Sequence, residues 1–431
     1  MQVRTINLIL TFIICSLTNL SFAQLKIDTE IRPRLEYRTG YSKLSSGNSR
    51  PAIFISQRSR LSLFYQHTNF NYGFAIQDVR IWGDEQLFSS TGVFGDDASL
   101  DVQQAWIEIL LLKHSSIKIG RQVFKYDDER LLATRNWNQH ANTYDAFLYS
   151  FKRNGLQIHA ALSLNNEYDN SFKNEYSAGK MKTLNFLYMQ KELPLHVKLS
   201  LITIAHGYTA NDTSEVIYLR GTYGSYVEYT NNNTNAAWVA YYQNGRNQKG
   251  KDVSAYLFSI DAKQSIKPFA FGLGMVYISG QDSTNKNANY QKTDHLFDIL
   301  YGARHRYYGL MDYFNNLAKS TKNGGLIDLY GTLAFNYGKD NSLKLDVHRF
   351  WLQNKVEDPV NERRALDKLL ATELDFSFKQ IFFTVFRIDA GYSVLLPENS
   401  LEIIQDLQKN KSKRSHWLWC MLTFTYTLFP E

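Results

Sequence analysis

The chain has little with which to cross-link itself. Two cysteines occur in 431 residues, and Cys15 lies in the apolar N-terminal stretch. Cys420 is therefore left alone after any leader is removed, which excludes a disulfide-held scaffold. Seven prolines and 24 glycines are too few for a low-complexity or disordered chain. The charge is nearly balanced: 48 Lys+Arg against 41 Asp+Glu give a formal +7. Charges alternate in sign instead of clustering, which argues against nucleic acid as a partner. No His/Cys group has zinc spacing, and no metal or cofactor is expected. With 21% charged residues, the chain is too polar for a bundle of membrane helices, each needing about 20 apolar residues. What the sequence does have is aromatic: 28 Tyr, 27 Phe and 7 Trp. Rings and β-branched residues in a hydrophilic chain point to strands.

The N-terminus has the layout of a secretory signal. Arg4 is the sole charge before Lys26, Ile6 to Leu17 are apolar, and Ser21-Phe22-Ala23 places small residues where a signal peptidase reads. Cleavage is expected after Ala23, with residues 1–23 as leader and 24–431 as one domain. Ile14 before Cys15 is too large for a lipoprotein site, and the apolar stretch is short for a membrane anchor.

From Lys26 to Arg38 the even positions are all charged: Lys26, Asp28, Glu30, Arg32, Arg34, Glu36 and Arg38. The odd positions are mostly apolar, from Leu25 to Tyr37. A period of two is the strand period. The pattern recurs: Ile53, Ile55, Leu61 and Leu63 stand against Arg58 and Arg60, and Leu343, Leu345 and Val347 against Lys344, Asp346 and His348. Near the end, Leu418, Leu422, Phe424 and Tyr426 stand against Thr423 and Thr425. Segments of about ten residues, apolar on one face and polar on the other, are what a transmembrane barrel requires. An Arg at the bilayer midplane costs roughly 2–4 kcal/mol, so the basic face must line the interior. A soluble sandwich or lipocalin-like barrel would need the opposite arrangement.

The fold read from this is all-β: a transmembrane antiparallel up-and-down β-barrel of about 18 strands. Strands are expected near 25–38, 52–66, 72–82, 101–112, 117–124, 143–151, 156–165, 182–191 and 195–206. Others are expected near 215–229, 235–244, 252–264, 268–280, 326–337, 342–352, 367–379, 383–396 and 415–429. Connections alternate between short (67–71, 113–116, 152–155) and long (39–51, 83–100, 125–142, 281–325), like the periplasmic turns and external loops of outer-membrane barrels. The apolar set changes phase in 77–82 and again in 103–106, as at a β-bulge. The long loop 281–325 is rich in rings, including Tyr301, Tyr307, Tyr308, Tyr313 and Phe314, and is expected to fold into or over the lumen. Residues 400–407 have helical spacing.

Parity makes Arg32, Arg34, Arg58, Arg60, Arg80 and Arg387 candidate lumen residues, with Asp78, Glu373, Asp375 and Asp389 beside them. They could form an ion-pair lattice that stiffens the wall, or a basic track that conducts an anion. Guanidinium matches carboxylate in a bidentate way, so arginine suits a permeant that carries carboxylates.

Gly120-Arg121-Gln122, Tyr126-Asp127-Asp128-Glu129-Arg130-Leu131, Asn136-Trp137 and Tyr144-Asp145-Ala146 together resemble the signature of the alginate-export outer-membrane porins. Shorter matches follow at Tyr242-Gln243-Asn244-Gly245, Tyr277-Ile278-Ser279-Gly280-Gln281-Asp282, His305-Arg306-Tyr307-Tyr308-Gly309 and Ala371-Thr372-Glu373-Leu374-Asp375. The chain departs from the family pattern at Tyr144, where Phe is usual, and at Gln281, where an acid is common. The resemblance implies an eighteen-stranded outer-membrane barrel passing a polyuronate through an arginine-lined pore. It adds Arg121, Arg130, Trp137 and Asp145 as motif positions.

The expected function is an outer-membrane channel for an anionic polysaccharide or oligosaccharide, with alginate-like polyuronate export first. The alternative is an uptake porin for small anionic solutes. Expected partners are outer-membrane lipids, the anionic saccharide and, for export, periplasmic components. Catalysis would need a nucleophile beside an oriented base. His159 with Ser163, and His348 with Asp346, are the nearest such pairs, and ordinary wall residues explain both.

Overall fold

The computed structural model describes residues 24–46, 48–82, 100–173, 175–338, 340–359, 364–407 and 412–428. The leader expected over 1–23 lies outside them. Among the described residues, eighteen antiparallel strands make one closed sheet. They are β1 Gln24–Thr39, β2 Ala52–Gln66, β3 Phe70–Ile81, β4 Leu100–Leu112, β5 Ser115–Gln122 and β6 Tyr144–Arg153. Next come β7 Leu156–Leu164, β8 Thr183–Leu193, β9 Val197–Thr209, β10 Ile217–Thr230, β11 Thr234–Gly245 and β12 Ala255–Ile266. The last are β13 Phe269–Ile278, β14 Leu326–Tyr337, β15 Asn341–Leu352, β16 Leu369–Phe382, β17 Phe386–Pro397 and β18 Ser415–Leu428. Each strand pairs with its neighbours in the chain. The seam closes where β1 meets β18, from Ile27 opposite Leu428 to Thr39 opposite His416. Closure is obligatory in lipid, which offers backbone N–H and C=O groups no partner.

The orientation follows from β1. Ile31 and Leu35 are 50% and 46% exposed on the outer wall, whereas Arg32 and Arg34 are 3% and 7% exposed. Apolar side chains such as Trp238, Phe258, Ile260, Phe271, Leu333 and Phe376 continue this exposed belt around the barrel. Turns at one end, such as 154–155 and 267–268, are short, and the long connections gather at the other, external, end. A helix at Asn399–Ile404 overlaps the stretch of helical spacing read over 400–407.

The irregularity expected near residue 103 is present. Ala75 pairs with Gln104 and Ile76 with Val102, so Gln103 is the extra residue of a bulge in β4. The phase change expected in 77–82 is absent, which corrects two side chains. β3 keeps one phase, with Ala75, Gln77 and Val79 buried toward the lumen, so Asp78 and Arg80 face outward. They form a bidentate pair, Arg80 Nε to Asp78 Oδ2 at 2.7 Å and Nη2 to Oδ1 at 2.8 Å. They sit at the external end of β3, above Tyr72, Phe74 and Ile76, where headgroups replace acyl chains. Arg121 and Asp145 need the same correction. They stand opposite one another across β5 and β6, paired at 3.0 and 3.1 Å. Their neighbours Gln122, Tyr144 and Ala146 are the ones buried inward.

The apolar core lies inside the barrel. Segments 123–143 and 279–325 turn into the lumen, where Leu132, Phe297, Met311 and Phe314 pack against the inner-wall residues Leu257, Phe350 and Trp417. Ile260 tests the outward belt. Ile260→Arg should cost about 2–4 kcal/mol of folding stability in lipid vesicles, measured by urea titration of the folded fraction.

Candidate functional site

Segment 123–143 is bent sharply, with positive φ at Asp127, Glu129, Arg135 and Ala141. Three arginines of the wall meet its carbonyls. Arg32 donates from Nη1 to Asn136 O at 2.8 Å and from Nη2 to Asn138 O at 3.1 Å, while Nε and Nη2 reach Gln139 Oε1 at 3.1 and 2.9 Å. Arg34 donates from Nη1 to Trp137 O at 3.0 Å and from Nε to Glu36 Oε1 at 2.9 Å. Arg58 donates from Nη1 to Gln139 O at 3.2 Å and is ion-paired with Glu30 at 2.5 Å. A guanidinium carries five donors and a buried one must spend them. These three face inward as parity indicated, but they are buried structural clamps. Arg60, partly open, donates to Gln77 Oε1 at 2.6 Å, and Gln77 Nε2 donates to His140 O at 2.9 Å.

The second segment is joined to the first. Tyr301 N donates to Leu131 O at 3.0 Å, Ala303 N to Glu129 O at 2.8 Å, and Arg135 Nε to Gly302 O at 2.8 Å. His305 stacks on Trp137 with centroids 4.3 Å apart. Arg130 is buried with Asp128 at 2.9 Å and Asp261 at 3.5 Å, its head 4.0 Å from the Tyr307 ring centroid. Burial works against its charge, but Asp128 and its neighbours outweigh burial and raise its affinity for the proton. Arg135 is brought down to about 10 by burial and by Arg304, so it remains a cation at neutral pH.

Glu373 and Asp375 are inward and fully buried. They clasp the backbone of the second segment: Met311 N donates to Glu373 Oε1 at 2.7 Å and Leu310 N to Asp375 Oδ2 at 3.3 Å. Gly309, at φ 82°, permits this approach, since a Cβ there would lie 2.6 Å from the Glu373 carboxyl. Arg387 and Asp389 form a 2.6 Å pair on the inner wall toward the periplasmic end.

Two cavities border the inserted segments. One, of about 780 Å³, runs along the seam between the inserted segments. Its charged lining is Arg60, Lys125, Arg135, Arg304, Arg306 and Lys344 against Glu129. The other, of about 420 Å³, is lined by Asp127, Asp128, Glu228, Asp261, Asp328 and Asp346 with fewer bases. Of the site residues singled out in the sequence, Arg60 and the motif residue Trp137 line the cationic seam. Lys344 was legible in the alternation of β15 but was not selected. Arg135, Arg304 and Arg306 lie on irregular segments whose spacing carries no facing information.

The side chains considered for catalysis are engaged elsewhere. Ser163 Oγ donates to Asp145 O at 2.7 Å, and His159 Nδ1 meets the Tyr126 hydroxyl at 2.7 Å. His348 Nδ1 lies 3.0 Å from Asp328, not beside Asp346.

Residues 23–185 match the family described as alginate export, which bears out the resemblance over the block from Gly120 to Ala146. Among solved structures, the outer membrane protein OprD from Pseudomonas aeruginosa is similar with a TM-score of 0.61 at 11% identity, over 94% of this chain and 94% of that one. The outer membrane protein opdK from the same organism gives 0.57 at 11%, over 94% and 99%. OpdO from that organism gives 0.60 at 13%, over 94% and 98%. No curated protein matches the chain. At these identities the likeness establishes the fold, which is that of an outer-membrane β-barrel.

Asp127 gives the site a pH dependence. Burial and the charge of Asp128 push it up to about 6, against hydrogen bonds from Tyr188 and Ser200 at 2.8 and 2.6 Å. Above that pH it adds a negative charge to the smaller cavity, and below it the charge is gone. The anion-to-cation permeability ratio should therefore rise between pH 7.5 and 5, read as a shift in reversal potential across a planar bilayer. Asp127→Asn should flatten that shift.

Proposed function

We propose that the protein is an outer-membrane channel for small anionic solutes, with carboxylate-bearing sugars first among them. The observation that carries the reading is the seam cavity, where six cations face one carboxylate between walls of low dielectric. Such an arrangement concentrates anions and excludes cations. The Arg306 guanidinium, exposed to the lumen, supplies planar donors that suit carboxylates. A cavity of about 780 Å³ accommodates a solute of one or two sugar rings more readily than a continuous thick chain.

Export of a polyuronate is the second reading, favoured by the match of residues 23–185 to the alginate-export family. It requires periplasmic components that feed the chain, and it requires the inserted segments to move aside. Liposome swelling separates the two. Under the first reading, glucuronate and a uronate disaccharide enter faster than glucose and maltose of matching size, and a long polyuronate only blocks. Equal rates for acids and neutral sugars would overturn it. Passage of the polymer through the purified protein would favour the second.

A further inference from the structure

The seam cavity and the acidic cavity meet at Arg306, Leu310 and Lys344, which line both. We infer that Arg306 and Lys344 are the charge filter of the channel, a waist where each anion passes between a cation on the inserted segment and one on the wall. The inference rests on the reading of the cationic seam as the permeation path.

Among the other seam cations, Lys125 is open beside Glu129 at 3.4 Å but lines only the seam cavity, and Arg60 is spent on Gln77. Arg32, Arg34 and Arg58 are buried on the carbonyls of 136–139 or on acids. Arg130 lies buried under Tyr307. Arg135 reaches Gly302 O and Leu300 O, and Arg304 reaches Leu300 O and Asn315 O. Arg306, by contrast, is exposed to the lumen, with one long bond from Nη1 to Asp128 O at 3.3 Å. The Lys344 side chain is 45% exposed.

Each is set by an independent frame. Arg306 ends a 3-10 turn, Arg304–Arg306. Downstream, Asp375 and Glu373 clasp the amides of Leu310 and Met311, and the Tyr307 hydroxyl donates to Asp128 O at 2.5 Å. Lys344 stands on β15, 2.7 Å from Asp346, which also accepts from the Thr332 hydroxyl at 2.5 Å. The waist is also where the lining changes sign. On one side cations dominate, and on the other carboxylates do. Removing both cations would uncover Asp346 and extend the acidic field through the junction of the two cavities, so the preference should invert instead of merely weakening.

The test measures reversal potentials in a KCl gradient for the wild type, Arg306→Gln, Lys344→Gln, the double variant and the outer-wall control Arg121→Gln. Each variant is first confirmed folded by heat-modifiable mobility. Each single change should lower the chloride-to-potassium permeability ratio about twofold or more, and the double variant should bring it below one. Arg121→Gln should match the wild type. A folded double variant with the wild-type ratio overturns the waist while leaving the seam reading intact. A wild type without anion preference overturns the seam reading, and the waist with it. Should the double variant not assemble, the two singles decide against Arg306→Lys and Lys344→Arg, which keep the charge and should keep the ratio.

Discussion

A guanidinium taken out of bulk water must find acceptors, and a folded-in backbone must find donors. In this barrel the two needs meet. Arg32, Arg34 and Arg58, projecting from β1 and β2, supply the donors, and the carbonyls of Asn136, Trp137, Asn138 and Gln139 supply most of the acceptors. Without the arginines, segment 123–143 would lose the donors that hold its carbonyls to the wall. Without the segment, three cations would crowd one face with only Glu30 and Glu36 to offset them. The second segment then packs on the first, so the position of the seam depends on that clamp.

The clamp explains why the barrel is not simply polar inside and apolar outside. Two chain segments folded into the lumen bring an apolar core with them, and the wall facing that core must be apolar too. Leu257, Phe350 and Trp417 are inward for this reason. At the external rim of this sector the outer wall carries closely matched Arg–Asp pairs such as Arg121 with Asp145. A pair of that kind keeps its hydrogen bonds at the interface, where an isolated charge would be costly.

Much of this architecture was legible in the residues. The ranges 52–66 and 326–337 read from alternation coincide with β2 and β14, because period two is imposed wherever one face meets lipid. Facing failed where its premise failed. The phase change read in 77–82 turns Val79 outward and Asp78 and Arg80 inward, yet Val79 is buried toward the lumen. The cations of the seam were harder still. Arg135, Arg304 and Arg306 lie on irregular backbone fixed by contacts distant in sequence, which no local pattern records. Arg32 and Arg58 were placed correctly toward the lumen, but their engagement with carbonyls depends on a segment about a hundred residues away in the chain.

The most direct measurement is the single-channel conductance of the Arg32→Met/Arg58→Met variant beside the wild type, in a protein that still shows heat-modifiable mobility. If buried guanidinium–carbonyl bonds hold segment 123–143 in the lumen, removing them frees the segment and conductance rises severalfold. An intact barrel whose conductance stays at the wild-type value would contradict the account.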